Sequence, residues 1–293
     1  MRDFRWPPPP DGSPRTYGPG PTAPRTGRPT LPQPATELVA TPHGVRLEWL
    51  ITGVGSPTTV FAHGLAGGIP TTRPLGSAVD GRRVFFHFRG HGRSDAPPGS
   101  WTNADLARDL RAVADLSGAT RALGVSMGAS ALARLVADSP SRFDRLVFFL
   151  PASLDRPRPK PSWQPALLEA VEEGDAAAVA DALSAELPPN LRGTPAVWAY
   201  LRQRVDDLLR YGLAPQLEHL AGQAAIADPA ALRGVRAEAL VIAAEDDDAH
   251  PVGVARDLAA ELPHAALHVY DRPSLLWTHR ADLRERISSF LNR

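Results

Sequence analysis

Short apolar runs alternate along this chain with longer segments in which apolar residues recur every three or four positions. Thr102 can cap one such segment, a predicted helix with Leu106, Leu110 and Val113 on one face. The apolar runs predict strands over 58–62, 83–88, 121–125, 145–150, 239–243 and 266–270, and two earlier runs, 37–40 and 45–51, predict a hairpin. This alternation indicates an α/β protein with a mostly parallel, doubly wound sheet.

Two segments interrupt the alternation. Residues 1–35 are rich in proline, glycine, arginine and threonine, which predicts a disordered or polyproline II tail. Pro7–Pro10 could dock onto an aromatic groove, although such tails more often act as spacers. Residues 151–235 show helical patterns only, over 165–173, 176–187, 195–211 and 215–224. We therefore predict three units: the tail, a core formed by 36–150 and 236–293, and a helical unit over 151–235.

Within the helical unit, one apolar stripe follows helical spacing and includes Trp198, Leu201, Val205 and Leu208. Packing against the rest of the protein is the preferred interpretation, with ligand contact as the alternative.

Charge and cysteine content exclude several classes of function. The 293 residues carry 32 basic and 32 acidic side chains and no cysteine, so nucleic-acid stripes, disulfides and thiolate chemistry are not indicated. No apolar stretch reaches the length of a membrane span, and the N-terminus lacks the apolar centre of a secretory signal. We expect a soluble, cytoplasmic protein with a small-molecule substrate, without cofactor or metal, and of undetermined oligomeric state.

The five residues 124–128, GVSMG, follow a predicted strand and open a helix of small residues. In a G-x-S-x-G turn the glycines let neighbouring backbone pass close by, and the serine hydroxyl is exposed at a sharp corner. Ser126 is therefore a candidate nucleophile. A glycine-rich turn with a buried serine is the alternative.

Two further motifs precede this turn, HG at 63–64 and RGHGRS at 89–94, each after a predicted strand. With the three motifs in this order, residues 38–291 resemble the α/β-hydrolase superfamily. The resemblance implies the α/β-hydrolase fold, in which the helices after the sixth strand form a cap over the serine. The chain departs from the pattern at His87, where many members carry aspartate, a position that is usually structural.

The same resemblance implies a catalytic triad in the order serine, acid, histidine. Ser126 matches the nucleophile, and Asp247 matches the acid because it falls three residues after Ala244; a solvated acidic loop and a Mg²⁺ site are the alternatives. No histidine stands directly after the last predicted strand, so His279, the first one available, is the predicted base, with a surface role as its alternative. His250, His264 and His268 are the poorer candidates.

Two backbone N–H groups complete the implied machinery. The resemblance assigns the oxyanion hole to Leu65 and Met127. His63 precedes the HG turn, and we interpret it as a residue that holds this loop, with a proton carrier as the alternative.

These features predict a serine hydrolase that cleaves a small carboxylic ester, thioester or lactone through an acyl-enzyme. Acyltransferases and carbon–carbon hydrolases share the serine and remain open. A ligand-binding protein that lacks a working base is an alternative of another class, and an interaction protein that uses the proline tail is a third.

Overall fold

A computed structural model of the protein describes residues 35–192 and 194–293. The proline-rich segment 1–34, with Pro7–Pro10, lies outside the described residues, so its predicted character stays a prediction.

One eight-stranded sheet forms the centre of the fold. Its strand order is β1-β2-β4-β3-β5-β6-β7-β8, and all neighbouring pairs from β4 to β8 are parallel. The hairpin of β1 and β2 joins antiparallel, as does β2 to β4. The strands are β1 (Glu37–Ala40), β2 (Arg46–Thr52), β3 (Thr58–Ala62), β4 (Arg82–Phe86), β5 (Arg121–Val125), β6 (Arg145–Phe149), β7 (Glu238–Ala244) and β8 (Ala265–Tyr270). The predicted mostly parallel sheet with an N-terminal hairpin is confirmed.

Helices follow most of the strands. They are α1 (Ile69–Thr72), α2 (Asn103–Ser117), α3 (Met127–Asp138), α4 (Gln164–Glu173), α5 (Ala176–Ser184), α6 (Pro195–Tyr211), α7 (Ala214–Ala221), α8 (Val252–Glu261), α9 (Leu275–Thr278) and α10 (Arg280–Leu291), with a 3₁₀ helix at Pro229–Gly234. The helices α4 to α7 all lie between β6 and β7, which agrees with the predicted helical cap after the sixth strand. No helix in the described ranges is long and apolar enough to cross a membrane.

Strand β6 shows why the central runs are apolar throughout. Leu146 and Phe148 belong to the core cluster on one face of the sheet, whereas Val147 and Phe149 belong to the cluster on the other. Successive side chains of a strand point to opposite faces, so a strand covered by helices on both sides needs apolar residues at every position.

The cap helices extend one of these two clusters. In α6, Leu201, Val205 and Leu208 are each 1% exposed and belong to the same cluster as Leu146. The apolar stripe of α6 thus packs into the core, and its last residue, Leu208, also lines the cavity described below.

Helix α2 begins as its sequence predicts, because the Thr102 hydroxyl accepts a hydrogen bond from the N–H of Asp105.

Candidate active site

Ser126 occupies the sharp turn between β5 and α3. Its backbone has φ 51° and ψ −111°, which is outside the regions that residues with a side chain usually adopt. The turn is held on both sides: the N–H of Ser126 donates to the carbonyl of Phe149 at 3.0 Å, and the carbonyl of Ser126 accepts from Ala129 and Ser130. At this turn Ser126 lines a cavity.

The glycines of the turn permit close approach of backbone. A Cβ atom on Gly124 would lie 2.4 Å from the carbonyl oxygen of Gly128, and one on Gly128 would lie 2.5 Å from that of Ala62. Neither neighbour is the end of a flexible side chain, so a larger residue would displace β3, β5 or α3. The G-x-S-x-G pattern therefore reflects packing at both glycines.

A hydrogen-bonded chain of three side chains includes the serine. The Oγ of Ser126 lies 2.9 Å from Nε2 of His250, and Nδ1 of His250 lies 3.1 Å from Oδ1 of Asp247. Asp247 also accepts hydrogen bonds from the N–H groups of Ala249 and His250, each at 3.0 Å. These bonds fix the carboxylate and turn the imidazole so that Nε2 faces the serine.

The environment of Asp247 keeps its carboxylate ionised. Burial by itself would raise its pKa, but the imidazole of His250 and the two backbone N–H donors outweigh burial and hold the pKa below the ordinary value of 3.8. A fixed negative charge at Nδ1 favours the tautomer with a proton on Nδ1, which leaves Nε2 free to accept one.

The structure does not bring His279 to Ser126. Nε2 of His279 lies 3.1 Å from Oδ1 of Asp271, its Nδ1 bonds to the hydroxyl of Thr278, and its ring packs on Tyr270. The imidazole at the serine is that of His250, and the prediction of His279 as the base is wrong. The available signal was local: Asp247 and His250 are three residues apart in one turn, a spacing that lets the histidine fold back onto the carboxylate.

The residues of the predicted oxyanion hole flank the serine. Leu65 and Met127 line the same cavity as Ser126, and a Cβ on Gly64 would come within 3.3 Å of the Cβ of Ser126. Within residues 35–192 and 194–293, the N–H groups of Leu65 and Met127 have no hydrogen-bond partner. Both donors are thus available to an oxygen atom bound beside Ser126.

Buried histidines support the HG turn. His63 accepts the N–H of Phe88 on Nε2 and bonds the carbonyl of Gly64 through Nδ1 at 2.7 Å. His91 accepts the N–H of Ala66 on Nε2. Burial lowers the pKa of His63 well below its ordinary value and that of His91 to about 4. His63 therefore holds the turn in the neutral form, in agreement with the preferred interpretation of this residue.

Acid is expected to weaken the fold through these rings. In the unfolded chain a histidine titrates near pH 6.5, so between about pH 6.5 and 4 the unfolded state gains protons that His91, with a pKa of about 4, does not gain in the folded state. The free energy of unfolding should therefore decrease as the pH is lowered through this window. At pH 5 the decrease from His91 alone should be about 2 kcal/mol relative to neutral or higher pH. Urea unfolding at pH 5, 6, 7 and 8 measures the slope.

The variant His91→Gln is the control for that slope, since an amide can donate and accept but does not titrate in this range. Its free energy of unfolding should depend less on pH between 5 and 7 than that of the wild type. An equal slope in both proteins would contradict the assignment to His91.

The cap closes over the serine from one side. Side chains of the cap and of the loop before it line the cavity, and many of them are apolar: Trp163, Leu167, Tyr200, Leu208, Leu217 and Leu220, with the charged Arg158, Glu186 and Arg204. In the described part of the chain, no group of three or more histidine, aspartate or glutamate side chains is placed to hold a metal ion. The cavity is thus lined mainly by apolar side chains, with a few charged ones among them.

Comparisons with known proteins agree with the topology. A family model described as the alpha/beta hydrolase fold matches residues 57–272. The chain therefore belongs to the alpha/beta hydrolase family. No curated protein sequence matches it.

Solved structures share the fold at low sequence identity. An enol-lactonase from Burkholderia xenovorans is 24% identical with a TM-score of 0.74, over 88% of this chain and 100% of that one. An esterase from a Rhodococcus species is 22% identical with a TM-score of 0.71, over 87% and 99% of the two chains. An esterase from Exiguobacterium antarcticum is 17% identical, also with a TM-score of 0.71 over 87% and 99%.

Proposed function

We propose that the protein is a serine hydrolase that cleaves a small carboxylic ester, thioester or lactone through an acyl-enzyme. The observation that carries this proposal is the chain of hydrogen bonds from Ser126 Oγ through His250 to Asp247. A serine hydroxyl is a weak nucleophile at neutral pH, and it needs a base at hydrogen-bond distance that is itself oriented by a third group. We assign the base to His250 in place of His279.

In the first half of the reaction, Nε2 of His250 takes the proton of Ser126 Oγ as that oxygen attacks the carbonyl carbon. The negative charge on the carbonyl oxygen is stabilised by the N–H groups of Leu65 and Met127. Asp247 stabilises the imidazolium. The tetrahedral intermediate collapses when His250 gives its proton to the leaving oxygen or sulfur, which leaves the acyl group on Ser126.

In the second half, water enters and loses a proton to His250 while its oxygen attacks the acyl carbon. The same two N–H groups again face the oxyanion. Collapse of this second intermediate breaks the bond to Ser126 Oγ, returns the proton from His250 to that oxygen and releases the acid.

The alternative of a ligand-binding protein rested on the missing histidine after the last strand. The imidazole of His250 at 2.9 Å from Ser126 Oγ supplies a base from another loop, and this favours an enzyme. The esterase and enol-lactonase neighbours are compatible with hydrolysis of an acyl–oxygen bond, although at their identities they argue only for the fold.

A fluorophosphonate probe tests the proposal, because it reacts with an activated serine. We expect the wild type to be labelled, Ser126→Ala not to be labelled, and Ser130→Ala, which changes the next serine of α3, to keep its label. A panel of acyl esters of graded chain length then measures the acyl preference. A folded wild type that neither labels nor cleaves any of these esters would overturn the proposal in favour of a binding role.

A further inference from the structure

Arg158 places a positive charge in the cavity beside Ser126. It lies in the loop between β6 and α4, is partly buried, and lines the cavity together with His250 and the apolar side chains of Trp163 and Leu167. A charge withdrawn from water needs polar partners, because its desolvation is costly. The partners of Arg158 therefore indicate what it is placed to bind.

Those partners are neutral and use only part of the guanidinium. Nη1 donates to the carbonyl of Ala249 at 3.1 Å, and Nη2 donates to Oε1 of Gln164 at 3.2 Å. A guanidinium has five N–H donors in a fork that fits a carboxylate. Among residues 35–192 and 194–293, no carboxylate lies within ion-pair distance of Arg158, so the remaining donors are open to a ligand.

The carboxylates near Arg158 are already occupied. Glu186 forms an ion pair with Arg204 at 2.7 Å, and Asp247 accepts hydrogen bonds from His250 and from backbone N–H groups. Burial lowers the pKa of Arg158 even though the charges of Glu186 and Asp247 oppose that shift. The burial of this cation is thus not fully compensated inside the protein.

We propose that Arg158 binds an anionic group, of the class of a carboxylate, carried by the ester, thioester or lactone substrate. This inference rests on the proposed function and specifies its substrate class. Arg158 donates to the carbonyl of Ala249, the residue before His250, so the anionic group would lie on the His250 side of Ser126. The anion itself undergoes no reaction, and the bond that breaks is still the acyl bond.

Two matched pairs of esters test the proposal. The mono-4-nitrophenyl ester of glutaric acid and 4-nitrophenyl pentanoate have acyl chains of the same length, which end in a carboxylate and a methyl group respectively. The pair of 4-acetoxybenzoate and phenyl acetate carries the carboxylate on the leaving group instead. The ratio of kcat/KM within each pair, measured in wild type and in Arg158→Met, shows which side carries the anion.

We expect Arg158→Met to lower the ratio of charged to neutral ester by about 10- to 100-fold in one of the pairs, as for loss of a buried charge-assisted hydrogen bond. Arg156→Met is the matched control, because Arg156 is exposed and pairs with Asp257. The ratio of kcat/KM for charged and neutral ester in this variant should equal that of the wild type. High salt should reduce the preference of the wild type. Ratios that Arg158→Met leaves unchanged in both pairs, or an equal loss for charged and neutral esters, would overturn the proposal.

Two further measurements keep the proposal separate from folding and from the proposed function. If Arg158→Met does not fold, Arg158→Gln can still donate to Ala249, and the same ratios are read from it. If the wild type cleaves no ester, the proposed function fails, and calorimetric titration with glutarate then tests anion binding directly. Tighter binding to wild type than to Arg158→Gln supports the anion site, and equal or absent binding overturns it.

Discussion

Replacement of His250 by alanine is expected to lower kcat/KM for a neutral ester by about 10³-fold or more, with the protein still folded. The imidazole is the group within hydrogen-bond distance of Ser126 Oγ, at 2.9 Å, and it is 19% exposed. Without it the serine proton has no acceptor in the site, and the leaving group has no acid. Steady-state kinetics with 4-nitrophenyl pentanoate measure the loss, and added imidazole should recover part of the rate.

His279→Ala is the matched control, because it removes the histidine that the sequence predicts as the base. His279 is 18% exposed, almost as much as His250, but it pairs with Asp271 instead of Ser126. Its kcat/KM should stay within about threefold of the wild type, since only structural contacts are lost. The opposite pattern, with activity lost in His279→Ala and kept in His250→Ala, would reject the assignment of the base to His250.

The difference between His279 and His250 shows what the sequence could predict about the site. The motifs around Ser126, Leu65 and Asp247 are local, and each is held by its own turn, so sequence position locates them well. The base depends on which loop reaches the serine, and that is a property of tertiary structure. After β8 the chain brings Leu276 to the cavity, while the turn after β7 brings His250.

The fold was predicted more completely than the site. All eight strands and the long helices follow from apolar periodicity, which reports burial on one or both faces of an element. The ends of some elements differ from the prediction. Strand β4 ends at Phe86, whereas the predicted strand runs to Phe88. The apolar run continues past the strand because Phe88 is fully buried in the loop that follows. The short α9 and the 3₁₀ helix carry too few residues to show a period.

Asp109→Ala is expected to lower the free energy of unfolding by about 3–5 kcal/mol, as for removal of one partner of a buried ion pair. The Asp109 carboxylate is 0% exposed and binds Arg89 with both oxygens, at 2.8 and 2.7 Å. It also lies 2.8 Å from Nε2 of His43. The alanine variant would leave the Arg89 guanidinium buried with only its weaker contacts to Asp105.

The ion pair between Asp109 and Arg89 also supports the candidate active site, so its removal should lower the activity as well as the stability. The carbonyl of Arg89 bonds to Nδ1 of His91, and Nε2 of His91 accepts the N–H of Ala66, next to Leu65, whose N–H we propose as an oxyanion donor. Displacement of Arg89 would therefore loosen the turn that carries the Leu65 N–H. We expect kcat to fall in Asp109→Ala even under conditions where the variant is fully folded, since oxyanion stabilisation depends on a fixed donor.

Asp115→Ala provides the control on the same helix. Asp115 is 54% exposed and pairs with Arg142 at the surface, and such pairs contribute about 1 kcal/mol or less. Urea unfolding should therefore separate the two alanine variants by at least about 2 kcal/mol. The double variant Asp109→Leu with Arg89→Met removes both charges and should recover much of the stability. If Asp109→Ala unfolds at the same urea concentration as Asp115→Ala, the buried pair does not stabilise the fold, and the proposed link from α2 to the HG turn fails with it.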